Sequence, residues 1–262
     1  MTSERISTST REGVPAQELA REMDVPLLEL WERLGSTNDR ALELAADGAL
    51  RGSVVLAEEQ TAGRGRRRSS WVSDRGAGLW MSLVLDPSDA CPQLPLIVGV
   101  SCAEAIEEHA ETVRVDVKWP NDLLVGDRKL GGILVERAGG SVVVGIGVNT
   151  APPVDGFPEE LEPLVTTLED EAGKCLASNA LARGIVRAIF DRLNQPGVVL
   201  RAIEDLKTRD ALAGRPVQTE HQGAGVAVGV DSTGALLLER PDGTRVSVVS
   251  GSVRLQSGST DS

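Results

Sequence analysis

The chain has 262 residues, of which 27 are Lys or Arg and 39 are Asp or Glu, so its formal net charge is −12. Hydrophobic residues make up 41% and charged residues 25%, a composition typical of a globular protein with a sizeable core. The acidic charge argues against general binding to nucleic acid or to an anionic membrane surface, and no apolar run reaches the roughly 20 residues of a bilayer span.

Polar residues dominate the N-terminus, so residues 1–25 are predicted to be a poorly ordered tail, and they lack the apolar core of a secretory signal. A short amphipathic segment follows at 25–34. Ser36-Thr37-Asn38 then predicts the N-cap of a helix that ends at Gly48. The next predicted elements are strands at 53–59 and 78–85, a helix at 94–110 and a strand at 113–119.

The segments DLLV, RKLGGILVE and SVVVGIGVN, separated by glycine-bearing turns, predict a three-stranded antiparallel meander over residues 122–149. Apolar spacing predicts helices at 178–193 and 197–210. Beyond residue 210, short strands split by Gly, Asp and Ser predict a small β-barrel of about five strands. The predicted fold class is therefore α+β, with a mixed, mainly antiparallel sheet, packed helices and a small all-β module.

The segment QTAGRGRRRSSW (residues 60–71), here called the arginine loop, places four arginines in an acidic chain. Three interpretations are open: an exposed charge run, a nucleic-acid patch, or a clamp on a phosphorylated ligand with Trp71 against a base. Arginine offers a planar fork of donors for phosphate oxygens, and Gly63 and Gly65 allow close backbone approach. The acidic chain and the lack of interleaved aromatics weigh against the nucleic-acid patch. The loop is not a P-loop, and GIGVNT (145–150) lacks the third glycine of a dinucleotide fingerprint.

A second candidate site lies in KWPNDLLVGDRKLGGILVE, residues 118–136. Pro120 breaks the strand, and a hairpin that turns near Gly126-Asp127 brings Lys129 and Asp122 across from each other. A lysine and a carboxylate beside Gly131 and Gly132 suit the handling of an anionic group. A surface hairpin with a salt bridge is the commoner meaning of this spacing taken alone.

Three widely spaced cysteines and two histidines restrict the chemistry further. The odd number of cysteines, without a CxxC pattern, predicts reduced thiols and a cytoplasmic location. Two isolated histidines argue against a zinc site or a catalytic histidine cluster.

The combination of motifs carries more information than any one of them. STN (36–38), the arginine loop, VKWPNDLL (117–124), RKLGGILVE (128–136) and GIGVN (145–149) together resemble biotin–protein ligases, also called biotin–[acetyl-CoA carboxylase] synthetases. The resemblance extends from about residue 30 to about residue 256. It implies a class II synthetase-like catalytic domain at 26–210, an SH3-like barrel at 211–257 and a tail at 258–262. Because about 25 residues precede the catalytic region, a monofunctional form without a helix-turn-helix domain is expected.

The resemblance implies an activity in two steps. Biotin and ATP, the latter with Mg²⁺, form biotinyl-5′-adenylate and pyrophosphate. Biotin then passes to one lysine of a biotin carboxyl carrier domain of acetyl-CoA carboxylase or another acyl-CoA carboxylase. A monomer or weak homodimer is expected, with no nucleic acid or membrane partner.

The resemblance also assigns roles to residues. Those implied in catalysis are Lys129, Arg64, Arg66 and Asp122, with Asp122 also the candidate Mg²⁺ ligand. Implied biotin contacts are Ser36, Thr37, Asn38, Gln60, Gly63, Arg64, Arg66, Lys129, Leu134, Gly145 and Gly147. Implied contacts to ATP or the adenylate are Arg64, Arg66, Arg67, Trp71, Lys129 and Asn149. The arginine loop is expected to act as a lid, Lys118 and Arg128 either to bind pyrophosphate or to solubilise the hairpin, and Trp119 either to line the pocket or to fill the core.

Three alternatives remain open. A lipoate–protein ligase or octanoyl transferase shares the fold, although the arginine loop followed by KWPND favours biotin. A nucleic-acid-binding regulator would use the RGRRR run, against the acidic charge. A biotin-binding module without catalysis would leave Lys129 and Asp122 unexplained.

Overall fold

A computed structural model describes residues 5–138 and 140–256 of the chain. In chain order the strands are β1 (Ile6–Ser7), β2 (Thr10–Arg11), β3 (Val14–Pro15), β4 (Leu28–Arg33), β5 (Val54–Ala57), β6 (Gly78–Leu85), β7 (Asp116–Lys118), β8 (Asp122–Val125), β9 (Arg128–Ala138), β10 (Ser141–Asn149), β11 (Pro216–Thr219), β12 (Gly223–Val230), β13 (Leu236–Glu239), β14 (Arg245–Val248) and β15 (Val253–Leu255). The α-helices are α1 (Ala16–Glu22), α2 (Thr37–Ala46), α3 (Leu94–His109), α4 (Leu168–Ala172), α5 (Ser178–Leu193) and α6 (Val198–Leu206).

The strands form two large sheets and a two-stranded sheet of β2 and β3. The main sheet has eight strands in the order β1-β4-β5-β6-β10-β9-β8-β7, and β4 pairs with β5 in parallel while the other neighbours are antiparallel. The C-terminal sheet has five antiparallel strands in the order β14-β13-β12-β11-β15. The α+β class and the meander β8-β9-β10 are thus confirmed. Within the described residues, no helix is both long and apolar enough to cross a membrane.

The two faces of the main sheet are filled differently, because side chains along a strand alternate between faces. Val144 and Ile146 of β10 belong to the large core formed with α3 and α5. Val143, on the opposite face, packs with Ala41 of α2 in a second, small cluster. Further along that face, called here the α2 face, β10 carries Gly145 and Gly147 in place of large side chains. The α2 face therefore lacks apolar filling at this end of the sheet.

A β-bulge in β9 sets the direction of Lys129. Asp122 pairs with Gly132 and Leu123 with Gly131, but Leu124 pairs with Lys129, so Leu130 has no partner in the ladder. Leu130 is fully buried in the large core. Strict alternation would send Lys129 to the same face as Gly131, opposite to Gly132. The extra residue places Lys129 beside Asp122 instead.

The N-terminal segment is folded over the part of 1–25 that the structure describes, contrary to the predicted tail. Strand β1 pairs with β4, and Leu19 of α1 and Met23 are buried in the large core. The buried guanidinium of Arg11 lies 2.8 Å from Glu58. The prediction of a poorly ordered tail was wrong because it rested on the polar composition. The segment is held by a few buried apolar residues and by an ion pair with a residue distant in sequence. Residues 1–4 and 257–262 lie outside the described residues, so the predicted C-terminal tail does too.

The C-terminal sheet packs against the main unit near the start of α3, where Gln93 Nε2 donates to the Thr233 carbonyl at 2.7 Å. Leu236 and Leu238 of β13 join the large core, and Trp119 donates a hydrogen bond from Nε1 to the Gly234 carbonyl at 2.9 Å. Trp119 is 3% exposed and belongs to the core, while its edge also contributes to the cavity described below. The packing brings the turn before β15 close to the arginine loop.

Candidate functional site

A cavity of about 430 Å³ lies between the α2 face, the arginine loop and the segment before β15. The sequence-predicted residues that line it are Ser36, Thr37, Asn38, Gln60, Arg64, Arg66, Arg67, Trp71, Asp122, Lys129, Leu134, Gly145, Gly147 and Asn149. Gly63 is buried behind the lining. A Cβ on Gly63 would lie 2.5 Å from both Ser73 Oγ and the Trp71 carbonyl oxygen, so glycine there permits the loop to fold back on itself.

Lys129 and Asp122 form the charged centre of the cavity. Lys129 Nζ lies 2.7 Å from Asp122 Oδ1, and the two side chains are 31% and 20% exposed. The ammonium also lies 4.9 Å from the centroid of the Trp71 ring. The hairpin spacing correctly predicted this approach, and the pair faces the cavity where a ligand can reach it.

Thr37 and Asn38, at the start of α2, make polar contacts with the main sheet and with the arginine loop. Gln60 Oε1 accepts hydrogen bonds from the Thr37 backbone N–H at 2.8 Å and from Thr37 Oγ1 at 3.1 Å. Ser36 occupies the N-cap position of α2 without a capping side-chain bond, so Gln60 caps the helix in its place. Ser82 Oγ donates to Asn38 Oδ1 at 2.6 Å and lies 2.8 Å from Thr37 Oγ1.

The glycines of β10 let two side chains lie directly on the strand. A Cβ on Gly145 would be 2.3 Å from Asn38 Oδ1, and one on Gly147 would be 2.9 Å from the Trp71 ring. Trp71 packs edge-on against Trp80, with ring centroids 6.5 Å apart. Trp71 Nε1 is buried without a hydrogen-bond partner among the described residues. An unsatisfied buried donor of this kind is costly unless a ligand or water pairs with it.

The arginines of the loop have different partners. Arg64 Nη2 lies 2.5 Å from Asp39 and 2.9 Å from Glu136. Arg66 donates weakly to Asn121 Oδ1 at 3.3 Å and to the Gly251 carbonyl at 3.4 Å, and Arg67 pairs with Glu220 of the C-terminal module. The side chain of Arg68 lies outside the described residues.

Three cations that line the cavity, Arg66, Lys118 and Arg254, have no carboxylate ion-pair partner among the described residues. Burial, followed by the charge of Arg67, lowers the pKa of Arg66. Burial also lowers the pKa of Lys118, and the opposing carboxylate of Asp122 offsets this in part. Desolvated cations without counter-charges are prepared to bind an anion. Arg128, in contrast, pairs with Glu171 at 2.7 Å.

Asn149 ends β10 at the far side of the cavity. The residue is 4% exposed, and its Nδ2 donates to the Thr166 carbonyl at 3.1 Å. This bond holds the amide against the segment before α4, where Phe157 and Leu161 also line the cavity. Asn149 therefore presents its remaining acceptor at the edge of an apolar wall.

Sequence reasoning missed several residues of the site. Glu136 lies two positions beyond Leu134 on the same strand, so period-two alternation could have found it. Ser82 and Ser73 complete the polar contacts of Asn38 and Gln60, but isolated serines carry no signal in a sequence. The segment 251–254 lines the cavity from another sheet, which local patterns do not reveal.

A preformed metal site is not found in the described part of the chain, where no group of three His, Cys, Asp or Glu side chains converges. Asp122 is a lone carboxylate engaged by Lys129. Mg²⁺ often binds through one carboxylate and substrate phosphates. Asp122 alone does not form a resident metal site.

Comparisons with known proteins agree with this geometry. The model of the biotin/lipoate A/B protein ligase family matches residues 30–150, and that of the biotin protein ligase C-terminal domain matches residues 216–255. The bifunctional ligase/repressor BirA of Bacillus subtilis is 35% identical over 81% of this chain and 69% of its own length. The biotin–[acetyl-CoA-carboxylase] ligase of Mycobacterium tuberculosis is 33% identical over 81% of this chain and 83% of its own.

A solved structure extends the comparison to the fold. The biotin protein ligase from Aquifex aeolicus in complex with biotin and ATP has a TM-score of 0.79 and 28% identity, and the match covers 89% of this chain and all of that one. The order of the two family models along the chain matches the order of the two sheets. The chain therefore belongs to the biotin protein ligase family.

Proposed function

We propose that this protein is an ATP-dependent biotin–protein ligase that forms biotinyl-5′-adenylate and transfers biotin to a carrier lysine. The observation that carries the proposal is the Lys129–Asp122 pair, which the bulge in β9 places at the junction of a polar pocket and a cationic loop. A carboxylate is a poor acyl donor, and adenylation gives it a good leaving group. Because both substrates are anionic where they react, cations must offset their repulsion.

In the first step, a biotin carboxylate oxygen attacks the α-phosphorus of ATP, and the bond to pyrophosphate breaks. Lys129 contacts both groups and stabilises the negative charge that develops between them. Arg66 binds phosphate oxygens, since its guanidinium has no carboxylate partner in the described structure. Lys118 lies opposite Asp122 on β7 and is proposed to bind the leaving pyrophosphate.

The neutral ends of the substrates occupy the two sides of the cavity. Thr37, Ser36 and Gln60 offer hydroxyl and amide groups suited to a ureido ring, and Leu134 with the β10 glycines lines the biotin tail. Trp71 and Asn149 contact the adenylate, with the apolar wall near Phe157 beside them. These assignments combine the family resemblance with the positions of the side chains around one cavity.

In the second step, the lysine amine of the carrier attacks the acyl carbon, and AMP leaves with the electrons of the acyl–oxygen bond. A free lysine has a pKa of about 10.4, so it must lose a proton to react. Asp122 is proposed to orient the amine and accept that proton, while Lys129 remains beside the departing phosphate. Mg²⁺ enters with ATP, and no step is assigned to it.

The carrier is proposed to be a biotin carboxyl carrier domain of an acyl-CoA carboxylase, in line with the name of the Mycobacterium tuberculosis relative. The arginine loop is proposed to close over the adenylate and exclude water from the mixed anhydride. The predicted monomer or weak homodimer, and the absence of nucleic-acid partners, stay predictions.

The proposal is tested by pyrophosphate release from Mg-ATP with biotin, lipoate, octanoate or no acid. We expect pyrophosphate to be released with biotin but not with the other acids, and we expect this release to be lost in Lys129→Ala. Lys207→Ala is the matched control, because Lys207 is an exposed lysine directly after α6, is paired with Glu204 and does not line the cavity. Pyrophosphate release with lipoate or octanoate instead of biotin would indicate the related lipoate or octanoate activity, in line with the lipoate named in the family description. If no acid causes pyrophosphate release, the proposed catalysis is contradicted.

A further inference from the structure

Glu136, on the α2 face of β9, touches both the arginine loop and the polar groups of α2 through one oxygen. Its Oε2 accepts from Arg64 Nη2 at 2.9 Å and from Asn38 Nδ2 at 2.8 Å. Asp39 accepts from the same Arg64 nitrogen at 2.5 Å. The Arg64 guanidinium is therefore engaged by two carboxylates, whereas Arg66 has none among the residues that the structure describes.

The carboxylate also decides which way the Asn38 amide points. An ionised carboxylate accepts hydrogen bonds and cannot donate them, so the nitrogen of Asn38 must face Glu136. Oδ1 then faces Ser82, which donates to it at 2.6 Å. Asn38 is 3% exposed and lies against the bare backbone of Gly145, so its amide has little room to move away from these two partners.

From Asn38 the contacts continue through the pocket and return to the loop. Ser82 Oγ lies 2.8 Å from Thr37 Oγ1, and Thr37 donates to Gln60 Oε1. Gln60 Nε2 donates to Ser73 Oγ at 2.9 Å, and Ser73 donates to the Trp71 carbonyl at 3.1 Å. The chain of contacts therefore begins at Arg64, passes through Gln60 and ends at Trp71, so it contacts the arginine loop at three points.

We propose that Glu136 is a positioning residue that anchors the arginine loop through Arg64 and orients the pocket through Asn38. Arg64 is then the anchored arginine of the loop, and Arg66 is the loop arginine that, among the described side chains, is left to bind phosphate. Loss of the carboxylate frees the loop and lets the Asn38 amide turn, which weakens acid binding before any chemistry. This inference rests on the proposed function for its ligand, biotin, but its geometry rests on the contacts of Glu136, Arg64 and Asn38 with one another.

The test uses Glu136→Gln, Arg64→Gln and the double variant in the full chain. Biotin affinity is measured by calorimetry without ATP, pyrophosphate release at saturating substrates gives kcat, and limited trypsin digestion without ligand reports cleavage within residues 64–68. Contacting residues show strong non-additivity. We expect Glu136→Gln to weaken biotin binding about tenfold, to change kcat less than twofold, and to speed loop cleavage. The double variant should bind biotin with about the same affinity as whichever single variant binds biotin more weakly.

Glu104→Gln is the matched control. Glu104 lies 2.6 Å from Arg192, which keeps a second carboxylate in Asp205, as Arg64 keeps Asp39. Asp39→Asn is the second variant if Glu136→Gln fails to fold, and it should also speed loop cleavage.

Additive effects of the two substitutions, or unchanged cleavage and biotin affinity in Glu136→Gln, would overturn the inference. If wild-type protein binds no biotin, the proposed function fails, and the cleavage assay still decides whether Glu136 anchors the loop.

Discussion

Arg67 in the arginine loop forms an ion pair with Glu220 in the turn after β11, so the loop is bonded to the C-terminal sheet. Glu220 also accepts from Ser252 at the edge of the cavity, and the neighbouring Arg66 reaches the Gly251 carbonyl. Arg67 adopts a left-handed backbone conformation with φ of 57°, which turns it out of the short 3-10 segment. The C-terminal module thus helps to hold the outer part of the loop over the cavity.

Glu220→Gln is expected to loosen this outer contact and to raise the rate at which adenylate leaves the protein. Because both side chains are exposed to solvent, the effect on the release rate should be small, at most about fivefold. Added salt should speed release from the wild type more than from the variant, since the ion pair is screened. Glu239→Gln, which removes an exposed pair with Arg245 in the same module, is the control, and equal release from both variants would contradict the prediction.

Arg66→Gly is expected to leave adenylate formation partly intact while allowing the adenylate to escape. The reason is that Arg66 lacks a carboxylate partner in the described structure and is the loop arginine available to a phosphate. Pyrophosphate release should persist, while adenylate recovered with the protein after gel filtration should fall by more than tenfold. Arg66→Lys keeps the positive charge but loses the planar guanidinium, so its retention of adenylate should lie between that of the wild type and that of Arg66→Gly. Unaltered retention in Arg66→Gly would contradict a lid role for this residue.

Asp122→Asn is expected to separate the two half-reactions. Lys129 keeps its charge in this variant, so adenylate formation should fall less than tenfold, whereas transfer to a carrier lysine loses its proton acceptor and should slow by about 10²- to 10⁴-fold. The measurement is a single-turnover transfer from preformed adenylate. Transfer should recover partly at higher pH, where more of the amine is already deprotonated. Equal loss in both steps would place Asp122 in adenylation as well.

Most strands and the main helices could be predicted from the sequence because their apolar residues recur at the periods of strands and helices. The approach of Lys129 to Asp122 was predictable from hairpin spacing, but the bulge at Leu130 that turns Lys129 into the cavity was not. The folding of α1 was missed because Leu19 and Met23 are isolated among polar residues, and their burial depends on distant strands. Period-two alternation from Leu134 indicates that Glu136 shares the α2 face, but its contacts with Asn38 and Arg64 join residues remote in sequence, which no local pattern encodes.

Gly147→Ala is expected to displace Trp71 and to weaken nucleotide binding. The added Cβ would lie 2.9 Å from the indole ring, and such overpacking costs roughly 1–3 kcal/mol. The KM for ATP should rise more than the KM for biotin, and tryptophan fluorescence should change in the free protein. Gly184→Ala is the matched control, because its Cβ would meet Ala105 at 3.9 Å, an ordinary contact distance. An unchanged KM for ATP with altered fluorescence would exclude Trp71 from the nucleotide site.

Acid should lower the free energy of unfolding of the protein, in part because it protonates Glu43, an exposed side chain of α2. Hydrogen bonds from Arg5, assisted by Arg40, lower the pKa of Glu43 from 4.5 to about 2. Because the folded pKa is the lower one, the stabilisation is fully present above pH 4.5 and is lost as pH falls towards 2, where the folded state also takes up the proton. Glu43→Gln should therefore reduce the free energy of unfolding near pH 7, by less than about 1 kcal/mol for so exposed a pair.

Urea denaturation of wild type and variant at several pH values measures this difference in the free energy of unfolding. The difference between variant and wild type should shrink between pH 4.5 and pH 2, and a difference that stays constant over that range would contradict the assignment.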